Sequence, residues 1–144
     1  MREIIFRGKR TDNGEWAEGY IVQIPAAIQY GGELSSWYID KPPKDPDDSH
    51  GVYNVNPETI GQFTGLTDRN GKKIFEGDIL RDKFVLTVKG EKPTAHNYKV
   101  TYSNGGFLCC NNKRPIDLCM IFKLCEVIGN IHDNPELLER EDAK

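Results

Sequence analysis

The sequence predicts a mostly β, hairpin-rich protein, and two observations carry that prediction. Asn-Gly pairs stand at Asn13-Gly14, Asn70-Gly71 and Asn104-Gly105 within 144 residues. A two-residue type I′ turn needs positive φ at both central positions, which Asn-Gly reaches easily, so each pair reads as a hairpin corner. The flanking stretches are strand-like. Val100-Thr101-Tyr102 is rich in β-branched and aromatic residues, which suit a half-buried pleated surface.

Taken in order, the N-terminus (Met1-Arg2-Glu3-Ile4-Ile5-Phe6-Arg7) reaches polar residues too soon for a signal peptide and reads as the first strand. Residues 4–7 lead into the first corner and 16–24 lead out of it. Trp37-Tyr38-Ile39 reads as a strand. Residues 41–51 hold Pro42, Pro43 and Pro46. Proline removes backbone donors, so this stretch reads as a long surface loop, expected to be mobile. Asn56-Pro57-Glu58 reads as a single helical turn, with Asn as cap, Pro at the first position and Glu at the positive end of the dipole. Residues 60–64 lead into the second corner and 73–81 out of it; 99–102 and 106–110 flank the third. Residues 116–122 and 124–131 read as strands or as one buried helix. Val127, Ile128, Gly129 and Ile131 favour a strand for the second. Asn134-Pro135-Glu136 repeats the capping pattern and starts a short C-terminal helix, whose Leu137 and Leu138 need apolar cover from this chain or a neighbouring subunit. Residues 139–144 read as a frayed tail.

The first two hairpins echo one another. Phe6, Gly8, Thr11-Asp12, Asn13-Gly14, Glu18-Gly19 and Ile21 are followed by Phe63, Gly65, Thr67-Asp68, Asn70-Gly71, Glu76-Gly77 and Ile79 in the same order. This predicts two similar hairpins, unless shared turn chemistry alone produces the echo.

Charge is distributed unevenly. The net charge is −3, but residues 1–65 carry −4, residues 66–125 carry +5 and residues 126–144 carry −4. A basic middle between acidic flanks reads as internal neutralisation or as a docking face for a polyanion or an acidic partner. The apolar fraction of 38% implies a modest core. No run of about 18 apolar residues offers a membrane-spanning helix. Cys109, Cys110, Cys119 and Cys125 lack paired metal-ligand spacing. They read as small core hydrophobes in a reducing compartment, the cytoplasm.

No stretch of the chain fits a motif that carries chemistry. The stretch from Gly65 to Lys73 has five residues between its glycines and a second Lys where a phosphate loop needs Ser or Thr. Counted from Asp45, a calcium loop would need Gly at its sixth position and Glu at its twelfth, where His50 and Asn56 stand. His50, His96 and His132 form no metal pattern, and no nucleophile elbow occurs. These readings predict no catalytic residues, no cofactor and no metal, hence a protein that is not an enzyme. The basic middle nominates Lys72, Lys73, Arg81 and Lys83 as nucleic-acid contacts, with Phe75, Phe84 and Tyr98 nearby for base stacking.

Three segments resemble the YopX family. They are residues 57–66 with Asp68-Arg69-Asn70-Gly71-Lys72 and Ile74-Phe75-Glu76-Gly77-Asp78-Ile79-Leu80; Phe6-Arg7-Gly8-Lys9 with Gly14-Glu15-Trp16; and residues 126–138, from Glu126 to Leu138. The resemblance implies a phage or prophage origin and an SH3-like barrel at 66–135. Residues 1–65 would form an N-terminal β region packed on that barrel. It carries over no functional residues, because the family is one of unknown function. Two roles stay open: a non-enzymatic accessory protein working through an unknown protein partner, with self-association into a homo-oligomer as one form of that contact, and a nucleic-acid-binding barrel.

Overall fold

The structure, a computed structural model, describes residues 2–24, 36–82, 96–111 and 115–139. The chain divides into two compact units, Met1–Phe63 and Thr64–Lys144.

The first unit is antiparallel. It holds β1 (Phe6–Lys9), β2 (Trp16–Ile24), β3 (Ser36–Lys41) and β4 (Gly51–Val55), ordered β4-β3-β2-β1, and β1 also pairs with the first residues of β5 (Gly61–Thr67). Beyond Lys9 the chain returns to β4. Arg10 bridges Val55, Thr11 N donates to Asn54 O at 3.0 Å, and Asn56 N donates to Lys9 O at 2.9 Å. The four strands therefore curl until the first meets the fourth. Inside lie Ala17, Ile39 and Val55, packed by Phe6, Ile21, Trp37, Tyr53 and Ile60. The predicted turn at Asn56 is present as a 3-10 turn over Pro57–Thr59, with Asn56 Oδ1 accepting from Glu58 N at 3.0 Å.

The second unit holds the rest of β5, β6 (Lys73–Phe75), β7 (Asp78–Asp82), β8 (Asn97–Ser103), β9 (Gly106–Cys110), β10 (Ile116–Asp117), α1 (Leu118–Ile121), a 3-10 turn (Phe122–Leu124), β11 (Cys125–Asn130) and α2 (Glu136–Glu139). Five strands form a sheet ordered β10-β9-β8-β7-β11. Ile74, Leu80, Tyr98, Val100, Cys109, Leu118 and Cys125 make its core, to which Leu66 of β5 adds. The β5–β6 hairpin thus covers part of one sheet face. Helix α2 docks on the sheet through Asn97 Nδ2, which donates to Leu137 O at 2.7 Å. Leu137 and Leu138 are half-buried, so this chain supplies the cover they need. Among the described residues β10 and β11 are the sheet's two ends and do not pair with each other.

The three Asn-Gly corners differ. Only Asn104-Gly105 has both residues at positive φ (53° and 80°), as type I′ requires, between the paired Ser103 and Gly106. At Asn70-Gly71 only the glycine is left-handed (φ 83°). Asp68 N donates to Lys72 O, enclosing a three-residue loop. At Asn13-Gly14, again only the glycine is (φ 74°). Arg10 N donates to Glu15 O, enclosing four residues. The echo between the first two hairpins is therefore shared turn vocabulary. Gly19 continues β2, whereas Gly77, its counterpart, turns the chain at φ 91° and splits the expected 73–81 strand into β6 and β7. Residues 116–122 form neither strand nor buried helix throughout, but β10, then α1. Strand β4 lies beyond what the proline-rich stretch announced.

Two polar devices organise the second unit. Asp68, 6% exposed, accepts from Asn70 N (2.8 Å) and Lys72 N (2.9 Å) through Oδ1, and from Val127 N (2.9 Å) through Oδ2. One carboxylate closes the hairpin and ties it to β11. Asn130 Oδ1 accepts from His132 N and Asp133 N, both at 2.9 Å, while Gly77 O accepts from Ile131 N. A Cβ on Gly129 would sit 2.5 Å from Asn134 Oδ1.

The cysteines divide by burial. Cys109 and Cys125 are fully buried, Cys110 is half-buried and Cys119 is exposed. The core-hydrophobe expectation thus holds for the first two and fails for Cys119. Burial, with lesser repulsion from nearby anionic groups, pushes the Cys109 and Cys125 thiols up to about 12. A thiol-specific reagent at pH 8 is expected to label Cys119 quickly, and Cys109 and Cys125 only on unfolding. Both thiols hold their protons more tightly folded than unfolded. Their contribution is therefore complete below pH 9 and lost as pH rises toward 12, by at most about 1.4 kcal/mol per pH unit per thiol. A Cys109→Ala/Cys125→Ala variant is expected to show a flatter alkaline decline in denaturant titrations.

Candidate functional site

Strand β2 is apolar on both faces. Ile21 joins the core with Ile39 and Tyr53, its partners across β3 and β4. Tyr20, Val22 and Ile24, at alternate positions, lie on the opposite face. Register places Tyr20, Asp40 and Val52 in one row across three strands, with Val22, Tyr38 and Asn54 in the next. Tyr20, Ile24 and Val52 are 55%, 50% and 52% exposed. Asp40 Oδ1 lies 2.5 Å from His50 Nε2, from the loop that precedes β4. The result is an apolar sheet face with a carboxylate at its middle, of the kind that marks interaction surfaces. Beside it, on β1, the Arg7 guanidinium carbon lies 4.7 Å from the centroid of the Trp16 ring, so that cation packs on an aromatic face.

The second unit holds the sequence-nominated basic residues. Lys72 is exposed at the hairpin corner and Lys73 is half-buried at the start of β6. Arg81 is half-buried in β7, its Nη1 donating to Asn97 Oδ1 at 3.2 Å. Lys83 and Phe84 lie outside the described residues. Glu126 is the register partner of Arg81 on β11, and its Oε2 accepts from Asn70 Nδ2 at 3.4 Å. A carboxylate therefore neighbours both the corner that carries Lys72 and the strand that carries Arg81. Phe75 and Tyr98 are buried, so neither offers a ring for stacking a base.

A separate apolar ridge lies at α1 and the turn after it. Met120 is 72% exposed and Leu124 41% exposed. Lys123, between them in sequence, is also exposed, with its Nζ 5.7 Å from the Phe122 ring centroid.

Sequence reasoning followed charge and so missed Tyr20, Ile24 and Val52. The signal was the unbroken apolar run Tyr20-Ile21-Val22. A strand with one solvated face alternates, and this one does not.

Architecture and site together define a class: a two-unit antiparallel β protein whose recognisable motifs build turns and strand junctions. The YopX protein family model matches residues 5–139. The chain belongs to the YopX family. It is similar to the crystal structure of protein EF1440 from Enterococcus faecalis, with 25% identity and a TM-score of 0.50, over 96% of this chain and 99% of that one. No curated protein matches it. Among the described residues no helix is long and apolar enough to cross a membrane.

Proposed function

We propose that this is a phage- or prophage-encoded accessory protein of the host cytoplasm that acts without catalysis, through protein-protein contacts that include self-association. The observation that carries this reading is the exposed Tyr20–Ile24–Val52 face. Burying the exposed halves of such side chains against a partner is favourable by roughly 1 kcal/mol each, and three of them on one sheet face make a contact surface. The second unit is read as a variant of the SH3-like barrel, its β5–β6 hairpin and five-stranded sheet sharing one core. Fold alone selects no ligand.

The rival reading, a nucleic-acid-binding barrel, draws on the +5 charge of residues 66–125 and the exposed Lys72. One pair of measurements separates them. Multi-angle light scattering of the wild type is expected to show a complex above protomer mass that Val52→Arg removes. Fluorescence anisotropy with labelled single- and double-stranded DNA is expected to show no binding from 50 to 200 mM salt. DNA binding that weakens steeply over that range, and that Lys72→Ala reduces, would establish the rival, because phosphate contacts release counterions.

A further inference from the structure

The exposed face of the first unit carries a titratable pair. Asp40 stands between Tyr20 and Val52 in one row across β2, β3 and β4. Its Oδ1 lies 2.5 Å from Nε2 of His50, which precedes Val52 by two positions. Both side chains reach solvent, His50 more than Asp40, so the pair exchanges protons freely and is open to cover by a partner. The other charged and titratable groups around it are Glu18 and Tyr20 on β2, Tyr38 and Lys41 on β3, and Lys44, Asp45, Asp47 and Asp48 in the loop joining β3 to β4. On β4, Tyr53 packs against the core instead. Lys44 N donates to Asp48 Oδ2 at 3.0 Å and holds that carboxyl below the usual carboxylate range. Between pH 8 and pH 6, carboxylates, ammonium groups and phenols ordinarily keep their charge; of these group types, imidazole alone changes its own.

We infer that the Asp40–His50 pair makes contact through this face depend on pH, the contact tightening as His50 takes up a proton. This rests on the protein-contact reading above and adds the regulation of that surface. With a neutral imidazole the pair carries a net negative charge. An apolar partner laid over Tyr20 and Val52 then takes that charge out of water uncompensated, which is costly. With an imidazolium the pair is neutral overall and its hydrogen bond is charge-assisted, so the same cover encloses two charges that satisfy each other. In the open protein both groups stay hydrated, and the pair contributes little to folding. Its effect is felt under cover. The covered state therefore holds the His50 proton more tightly than the open state. The association constant rises as pH falls and levels off where His50 is protonated in both states. Its logarithm changes by at most about one per pH unit for each His50 covered, so the steepness counts the imidazoles buried. Face-to-face pairing of two copies covers two; contact of the face with any other surface covers one.

The test is sedimentation equilibrium of the wild type, His50→Gln, Asp40→Asn and Val52→Arg at pH 8, 7 and 6. The first two substitutions fall on solvent-reaching side chains and Val52 is half-exposed, so folding is spared, and circular dichroism checks it at each pH. Wild-type self-association is expected to be at least about tenfold stronger at pH 6 than at pH 8, the effect of one pKa unit between the covered and open states. His50→Gln keeps a hydrogen-bond donor that never gains a charge, and is expected to associate weakly at every pH. Asp40→Asn removes the anion, and is expected to associate at pH 8 at least as strongly as the wild type does at pH 6, with no dependence on pH. His50→Gln also controls for the loss of net charge on acidification, which it shares with the wild type apart from this one imidazole. Equal wild-type association at pH 6 and pH 8 overturns the inference, as does a pH dependence that survives in His50→Gln. Either result spares the protein-contact reading as long as Val52→Arg still dissociates the assembly. A wild type at protomer mass throughout overturns the inference too, and leaves a foreign protein as the partner of the face. If Val52→Arg assembles like the wild type, the face is not the contact and both readings fall.

Discussion

Gly19→Ala is expected to destabilise the first unit by about 3 kcal/mol, near the upper end for overpacking by one methyl. Residues 16–19 of β2 pair with β1, and residues 20–24 pair with β3, so the strand changes partner immediately after Gly19. The backbones crowd at that handover. A Cβ on Gly19 would overlap the carbonyl oxygen of Asp40, and would lie 2.9 Å from its carbonyl carbon and 3.1 Å from the Cα of Lys41. All three atoms belong to the main chain, so no side chain can rotate away. Relief requires β3 to move, and β3 contributes Ile39 to the core. Thermal unfolding should register a fall of about 10 °C or more. Gly106→Ala is the matched control. Its Cβ would meet nothing within 4 Å, and Gly106 is not among the glycines at positive φ, so its effect should stay within about 0.5 kcal/mol. Equal melting temperatures for the two variants would mean that the handover at Gly19 is loose.

Asp68→Ala is expected to cost the second unit about 3 kcal/mol. Three backbone N–H groups lose their acceptor at once. Those of Asn70 and Lys72 lie at an exposed corner and can turn to water, but that of Val127 belongs to a half-buried strand residue. Hydrogen bonds to a charged acceptor contribute about 1.5–3 kcal/mol each, and the unsatisfied strand amide adds its desolvation cost. Asp68→Asn keeps one carbonyl oxygen and places a donor toward an N–H, so it should recover only part of the loss. Urea denaturation of the two variants beside the wild type measures both. A loss under 1 kcal/mol for Asp68→Ala would show that the hairpin holds to β11 without this carboxylate, through the Arg69 N–Cys125 O and Asn70 Nδ2–Glu126 Oε2 bonds.

These two positions show how unevenly the sequence discloses its reasons. Asp68-x-Asn70-Gly71 reads as a turn from sequence, and a turn it is. That the same carboxylate also reaches Val127, 59 positions away, depends on where β11 lies. Glu76-Gly77 and Glu18-Gly19 look alike as letters, yet one turns the chain and the other passes between two strands. Lys72 and Arg81 looked alike as cations. In the fold one is exposed at a corner, and the other is half-buried, bonded to Asn97 and opposite Glu126.

By itself the sequence determined the strand-rich class, the three corners, the capped turn at Asn56, the short helix after Asn134 and the family. Each depends on residues within a few positions of one another, where φ preference, capping and alternation act directly. Tertiary structure decided the loop length at each corner, the split between β6 and β7, which cysteines are buried, and the exposure of the Tyr20–Ile24–Val52 face. Those outcomes depend on register between distant strands. A pattern of apolar residues says that a strand has two faces to cover, but only the packed chain shows which of them it has covered.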